Sequence, residues 1–164
     1  MAELPDYVLD PSPSAMFTRL QRVGLHLERL QDEAMESIGM SFGDYTLLAT
    51  LHREGAPHAL PVSRLAELVL RPMGSITQVV DRLERAGLVR RQLDPSDRRR
   101  VLIELTGDGL DLAVRGDDAY RVSRERVLEA MSEADLKRTD GAVSRLLTVL
   151  EADQAAAGEI AASA

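Results

Sequence analysis

Residues 93–106, "LDPSDRRRVLIELT", limit the fold more than any other stretch of the chain. Val101, Ile103 and Leu105 alternate with Leu102 and Glu104, which is the period of a strand. "LVRRQLD" runs up to the other side of Asp94-Pro95-Ser96-Asp97, a cluster of turn-forming residues. Both runs are short and bounded by turn residues, so a two-stranded hairpin is predicted. Arg98, Arg99 and Arg100 stand in a row at its tip. Elsewhere the apolar residues recur at helical spacing. The expected fold class is mainly α with a small β-hairpin.

Composition agrees. The 164 residues are 45% hydrophobic but only 3% aromatic, with no Trp. The core must be Leu, Val, Ile, Ala and Met, a palette that favours helices packed on helices. There is no Cys, which excludes disulfides, thiolate metal sites and cysteine redox sensing and fits a cytoplasmic location. No run of about 18 uncharged apolar residues exists, so no membrane span is expected. The start, "MAELPDYVLDPSPS", is acidic and Pro-rich and lacks the regions of a signal peptide.

The net charge of −7 argues against a nonspecific nucleic-acid coat. Its distribution does not: residues 61–105 hold nine Arg against six Asp or Glu, while the other 119 residues carry a net of −10. Local sign decides where a polyanion docks.

Along the chain, residues 1–13 read as an N-terminal tail. A long amphipathic helix follows, carrying Phe17, Leu20, Leu27, Leu30, Ala34 and Ile38 and stopping at Gly39. "SFGD" at 41–44 is a capping box that opens the next helix, which ends at the breaker cluster "EGAPHALP". "SRLAELV" at 63–69 is a short helix, and residues 72–86 form another, with Ile76, Val79, Val80 and Leu83 as its buried stripe and Gly87 as its stop. After the hairpin come a long helix from Thr106 and, behind a second capping box "SEAD", a last helix with Leu136, Val143, Leu146, Leu147 and Leu150. The stretch 154–164 reads as a low-complexity C-terminal tail.

Two helices joined by "LRPMG" and followed by a hairpin make a winged helix-turn-helix, whose second helix suits a major groove and whose thin arginine tip suits a narrow, negative minor groove. Over "LAELVLRPMGSITQVVDRLERAGLVRRQLDPSDRRRVLIELTGDG", Leu65 to Gly109, the chain resembles the MarR family of transcriptional regulators. The segments "DRLERAGLVRR" and "DPSDRRRVLIELT" carry the resemblance most specifically.

The resemblance implies a homodimer whose terminal helices interlock above two winged lobes. It implies binding to pseudo-palindromic operators in double-stranded DNA, usually as a repressor, with a small ligand releasing the DNA. The domain then spans 14–153, with the winged helix-turn-helix at about 41–106 and dimerisation helices at 14–38 and 107–153. DNA contacts are expected from Arg71, Met73, Ser75, Thr77, Gln78 and Arg82 on and before the recognition helix, and from Asp97, Arg98, Arg99 and Arg100 in the wing. Asp97 is expected to hold the tip by pairing with one arginine. The family's effector cleft would place Met16, Arg19, His26, Tyr45 and His52 around a small anionic or aromatic ligand. Lack of Trp sets the chain apart from the urate-responsive branch, and lack of Cys excludes thiol-based peroxide sensing.

No cofactor is implied. His26, His52 and His58 lack metal-ligand spacing. No nucleophile motif or phosphate loop argues for an enzyme, and Gly107-Asp108-Gly109 reads as a helix cap. The alternative is a winged-helix protein-interaction module without DNA binding, motivated by the acidic total charge and the apolar terminal helices.

Overall fold

The computed structural model describes residues 12–162, with side chains described as far as Ala156. The acidic stretch up to Pro11 lies outside the described residues. Two compact units divide between Ser123 and Arg124.

The first unit begins with α1 (Pro13–Glu36), one residue earlier than expected, because Ser12 caps it and Pro13 occupies its first turn. It continues with α2 (Phe42–Glu54), β1 (Ala59–Pro61), α3 (Val62–Leu68), α4 (Met73–Arg85), β2 (Val89–Leu93), β3 (Val101–Leu105) and most of α5 (Gly107–Leu128). The predicted two-stranded hairpin is part of a three-stranded antiparallel sheet in the order β1-β3-β2. The third strand comes from "ALP" within the breaker cluster, where Leu60 faces Ile103. Three residues carry no readable period, so this strand exists through its pairing with β3.

The helices and the sheet close around one apolar core. Leu47, Leu48 and Leu51 of α2, Leu65 of α3, Ile76, Val80 and Leu83 of α4, and Val89, Ile103 and Leu105 of the sheet are all buried there, with Ala113 of α5. Each large aliphatic side chain so buried contributes roughly 1.5–3 kcal/mol. The wing base approaches α5 so closely that a Cβ on Gly109 would stand 1.9 Å from the Leu88 carbonyl oxygen. Thr106 caps α5 by accepting from the Gly109 N–H and donates its own hydroxyl to the Gly87 carbonyl.

A smaller cluster joins Ala34 and Met35 of α1 to Tyr45 and Ala49 of α2. The rings of Phe42, Tyr45 and Tyr120 meet there with centroids 5.6–6.3 Å apart in tilted and edge-on pairs. Gly116 admits the Tyr45 ring: a Cβ there would lie 2.4 Å from it.

The second unit holds the end of α5 and α6 (Glu133–Ala162). Ser132 caps α6 by accepting from the Asp135 N–H, as the "SEAD" pattern predicts. The helix runs past Asp153, where the C-terminal tail was expected to begin, as far as Ala162. Among its described side chains none is buried, and Val143, Leu147, Val149 and Leu150 are exposed. No helix among the described residues is long and apolar enough to cross a membrane.

Candidate nucleic-acid interface

The short link between α3 and α4 sets where α4 begins. The Leu70 N–H donates to Glu67 and the Arg71 N–H reaches back to Ala66, a pair of bonds that closes α3 with Leu70 in the left-handed region at φ +51°. Pro72 then takes an extended conformation and stands as the N-cap of α4, without a side-chain cap. Ile76, Val80 and Leu83 turn inward, with Val79 half-buried. Met73, Thr77 and Gln78 are consequently exposed, and Ser75 is partly so. The Thr77 hydroxyl donates to the Met73 carbonyl, one turn back.

The nine arginines of the basic block fall into two groups. Arg64 pairs with Glu67, and Arg90 with Glu104 across the β2–β3 ladder. Arg91 reaches both Asp81, at 2.5 Å, and Glu84 on α4. Arg85 donates to the Asp81 carbonyl. Arg82 grips Asp44 of α2 side-on, with Nε 3.1 and 3.2 Å from the two carboxylate oxygens and Nη2 2.5 Å from one. The guanidinium ions of Arg82, Arg90 and Arg91 are held above their usual pKa chiefly by hydrogen bonds to these carboxylates. Among the described residues, the side chains of Arg71, Arg98 and Arg99 have no such partner, and all three are exposed. Charge available to a ligand is thus concentrated at the start of α4 and at the wing tip.

The tip is shaped by its acids. Asp94 Oδ1 accepts from the Ser96 N–H and hydroxyl, and these bonds depress the Asp94 pKa. The Asp94 N–H donates to the Arg100 carbonyl, closing the turn. Asp97 accepts from the Arg99 N–H and stands 3.5 Å from Arg100 Nε. Asp97 therefore pairs with one wing arginine, Arg100, as expected, while the exposed Arg98 and Arg99 side chains stay outside that pair. An open groove of about 620 Å³ brings Met73 of α4 together with Arg100 and Val101 of the wing and with Pro61, Val62 and Arg64.

Of the five residues expected around an effector, the structure brings two together. Tyr45 is 2% exposed, and its hydroxyl donates to Asp117 Oδ1 at 2.5 Å. His52 Nδ1 lies 3.2 Å from the other Asp117 oxygen, and Arg53 is 3.7 Å from the first. His58 packs its ring 5.8 Å from that of His52. Met16 and His26 are exposed on α1, and Arg19 is partly buried there. At 1.5 Å per residue, His26 lies about 12 Å along the helix from Ala34, where α1 meets Tyr45. Among the described residues no group of three or more His, Asp or Glu is arranged to hold a metal ion. Asp44 and Asp117 are the residues that sequence reasoning missed. For Asp117 a signal existed, since Gly116 in mid-helix marks a close approach.

The family model for the MarR family matches residues 41–101, which span α2 to the start of β3. The transcriptional regulator PecS of Dickeya dadantii is 34% identical over 133 residues, covering 81% of this chain and 79% of that protein. The crystal structure of AbsC, a MarR family transcriptional regulator from Streptomyces coelicolor, superposes with a TM-score of 0.76 at 25% identity, over 92% of this chain and 99% of that one. A mutant MarR from E. coli, crystallised with operator DNA, matches with a TM-score of 0.72 over 80% of this chain and 93% of that one; at 17% identity this is a likeness of fold. A winged lobe of this architecture, with relatives of this identity and coverage, places the chain in the MarR family of transcriptional regulators.

Proposed function

We propose that the protein is a homodimeric, sequence-specific DNA-binding repressor, with α4 in the major groove, a wing arginine in the adjacent minor groove, and release by a small ligand. The observation that carries the reading is the sorting of the arginines. Those left unpaired among the described residues are Arg71, just before α4, and Arg98 and Arg99 at the wing tip, while α4 itself offers Thr77 and Gln78 fully and Ser75 in part. Ser, Thr and Gln suit base edges, and unpaired arginines suit phosphates and a narrow groove. The operator complex of the E. coli MarR mutant supports the same use of the fold. The winged part would be residues 41–106, and the dimerisation helices 14–38 and 107–153. Phe17, Val23 and Leu25 of α1, and separately Val143, Leu147 and Leu150 of α6, are exposed in the single chain and supply apolar surface for a partner.

The test is fluorescence anisotropy on the DNA upstream of the protein's own gene, against scrambled DNA, over a salt series. Selective binding that weakens steeply with salt is expected, because arginine–phosphate contacts release counterions. Replacing both Arg98 and Arg99 by Ala should weaken binding by about tenfold or more while leaving the thermal melt and the dimer unchanged. Unchanged affinity in that variant would remove the wing from the interface. Equal, weak binding of the wild type to both DNAs would favour a protein partner for the lobe.

A further inference from the structure

Arg82 shares one face of α4 with Ser75 and Gln78, at intervals of three and four residues. By position alone it should extend the reading face by a turn, as a phosphate contact or a guanine reader. The structure turns it elsewhere. Its guanidinium lies side-on against Asp44, with three N···O distances of 2.5–3.2 Å. The carboxylate it meets is itself fixed. Asp44 sits in the first turn of α2, its backbone N–H held by Ser41 Oγ at 3.1 Å, where the helix N-terminus favours negative charge. The Asp44 side chain is only 14% exposed, while that of Arg82 is 51% exposed. Taking Arg82 away would strand a largely buried carboxylate, which is costly. The pair also joins two elements that no covalent link places in register, the N-terminus of α2 and the last turns of the recognition helix.

We propose that Asp44 withholds Arg82 from DNA, so that Arg82 is a positioning residue of the recognition helix and not a contact to the operator. The proposal rests on the DNA-binding reading above. It follows that Asp44 sets the number of phosphate contacts that the lobe makes. It also follows that Arg is required at 82, because a lysine ammonium cannot present the two adjacent N–H groups of a side-on pair.

The experiment is operator binding by anisotropy over a salt series, with a scrambled duplex as control and thermal melts alongside, for wild type, Arg82→Gln, Arg82→Lys and Asp44→Asn. In a plot of log affinity against log salt, each phosphate contact adds about 0.9 to the slope. Arg82→Gln is expected to keep the wild-type slope while losing discrimination between operator and scrambled DNA. Arg82→Lys is expected not to restore that discrimination. Asp44→Asn, which releases the guanidinium, is expected to steepen the slope by about one contact and to raise affinity for scrambled DNA. A slope flattened by about one contact in Arg82→Gln, or an unchanged slope in Asp44→Asn, overturns the proposal. Should Arg82→Gln fail to fold, the Asp44→Asn slope decides alone. Wild-type protein that binds no DNA at any salt overturns the DNA reading and this proposal together; binding by the wild type with the wrong slopes overturns this proposal only.

Discussion

At the base of the wing, Arg90 faces Glu104 across the ladder and Arg91 reaches Asp81 and Glu84 on α4; at the tip, Arg98 and Arg99 meet no partner among the described residues. The same residue type, within one hairpin, does two different jobs. At the base it ties strand to helix with ion pairs that also cover the carboxylates of the lobe. At the tip it remains solvated and available. Counting arginines in the sequence measures neither job, because what a polyanion meets is the charge left over after internal pairing. Glu67, Asp81, Glu84, Asp97 and Glu104 each lie within ion-pair distance of an arginine. Much of the acid in the basic block is therefore already covered.

The comparison breaks most decisively at the base. Gly109→Ala drives a Cβ into the Leu88 carbonyl, a backbone atom that cannot swing aside. A loss of about 3 kcal/mol or more is expected in chemical denaturation. A loss below about 1 kcal/mol would mean that the wing base slides on α5. Arg91→Gln should cost less, about 0.5–1.5 kcal/mol, because the guanidinium is 33% exposed and its partners are 37–50% exposed, so solvent screens the pairs. Changing Arg98 in the same way should move stability by no more than about 0.5 kcal/mol. Equal effects of the two changes on the denaturation midpoint would erase the distinction between base and tip. The smallest expected effect is a gain. Leu70 holds φ +51° and the residue is 76% exposed, so glycine there relieves strain without uncovering a core contact. Leu70→Gly should stabilise by about 0.5–1 kcal/mol, the relief of the left-handed conformation less the added freedom of the unfolded chain. A thermal melt reads this directly, and a lower midpoint would show that the Leu70 side chain is held by something the exposed surface does not reveal.

Much of the architecture is legible because it follows from local rules. The Ser41 and Ser132 caps, the Gly87 stop at φ +73°, and the alternation in β3 each depend on residues a few places apart. What escapes is non-local. β1 is three residues that become a strand only against β3. Arg82 finds Asp44 thirty-eight positions away, and His52 finds Asp117 sixty-five away. The family resemblance puts Tyr45 at an effector cleft, and nothing local in the sequence says that its hydroxyl meets Asp117 or that its ring packs against Gly116. The exposed face of α4 and the wing tip were readable as a group, whereas the pairing that separates Arg82 from Arg98 and Arg99 was not.

Helix α2 is latched at both ends. Asp44 in its first turn holds α4 through Arg82, and His52 in its last turn holds α5 through Asp117. Its 13 residues make a rod about 20 Å long. A rod fastened at two points moves as one piece. Any displacement of α5 that preserves the Asp117 contacts therefore carries Asp44 with it, and the tilt of α4 becomes geared to the position of α5.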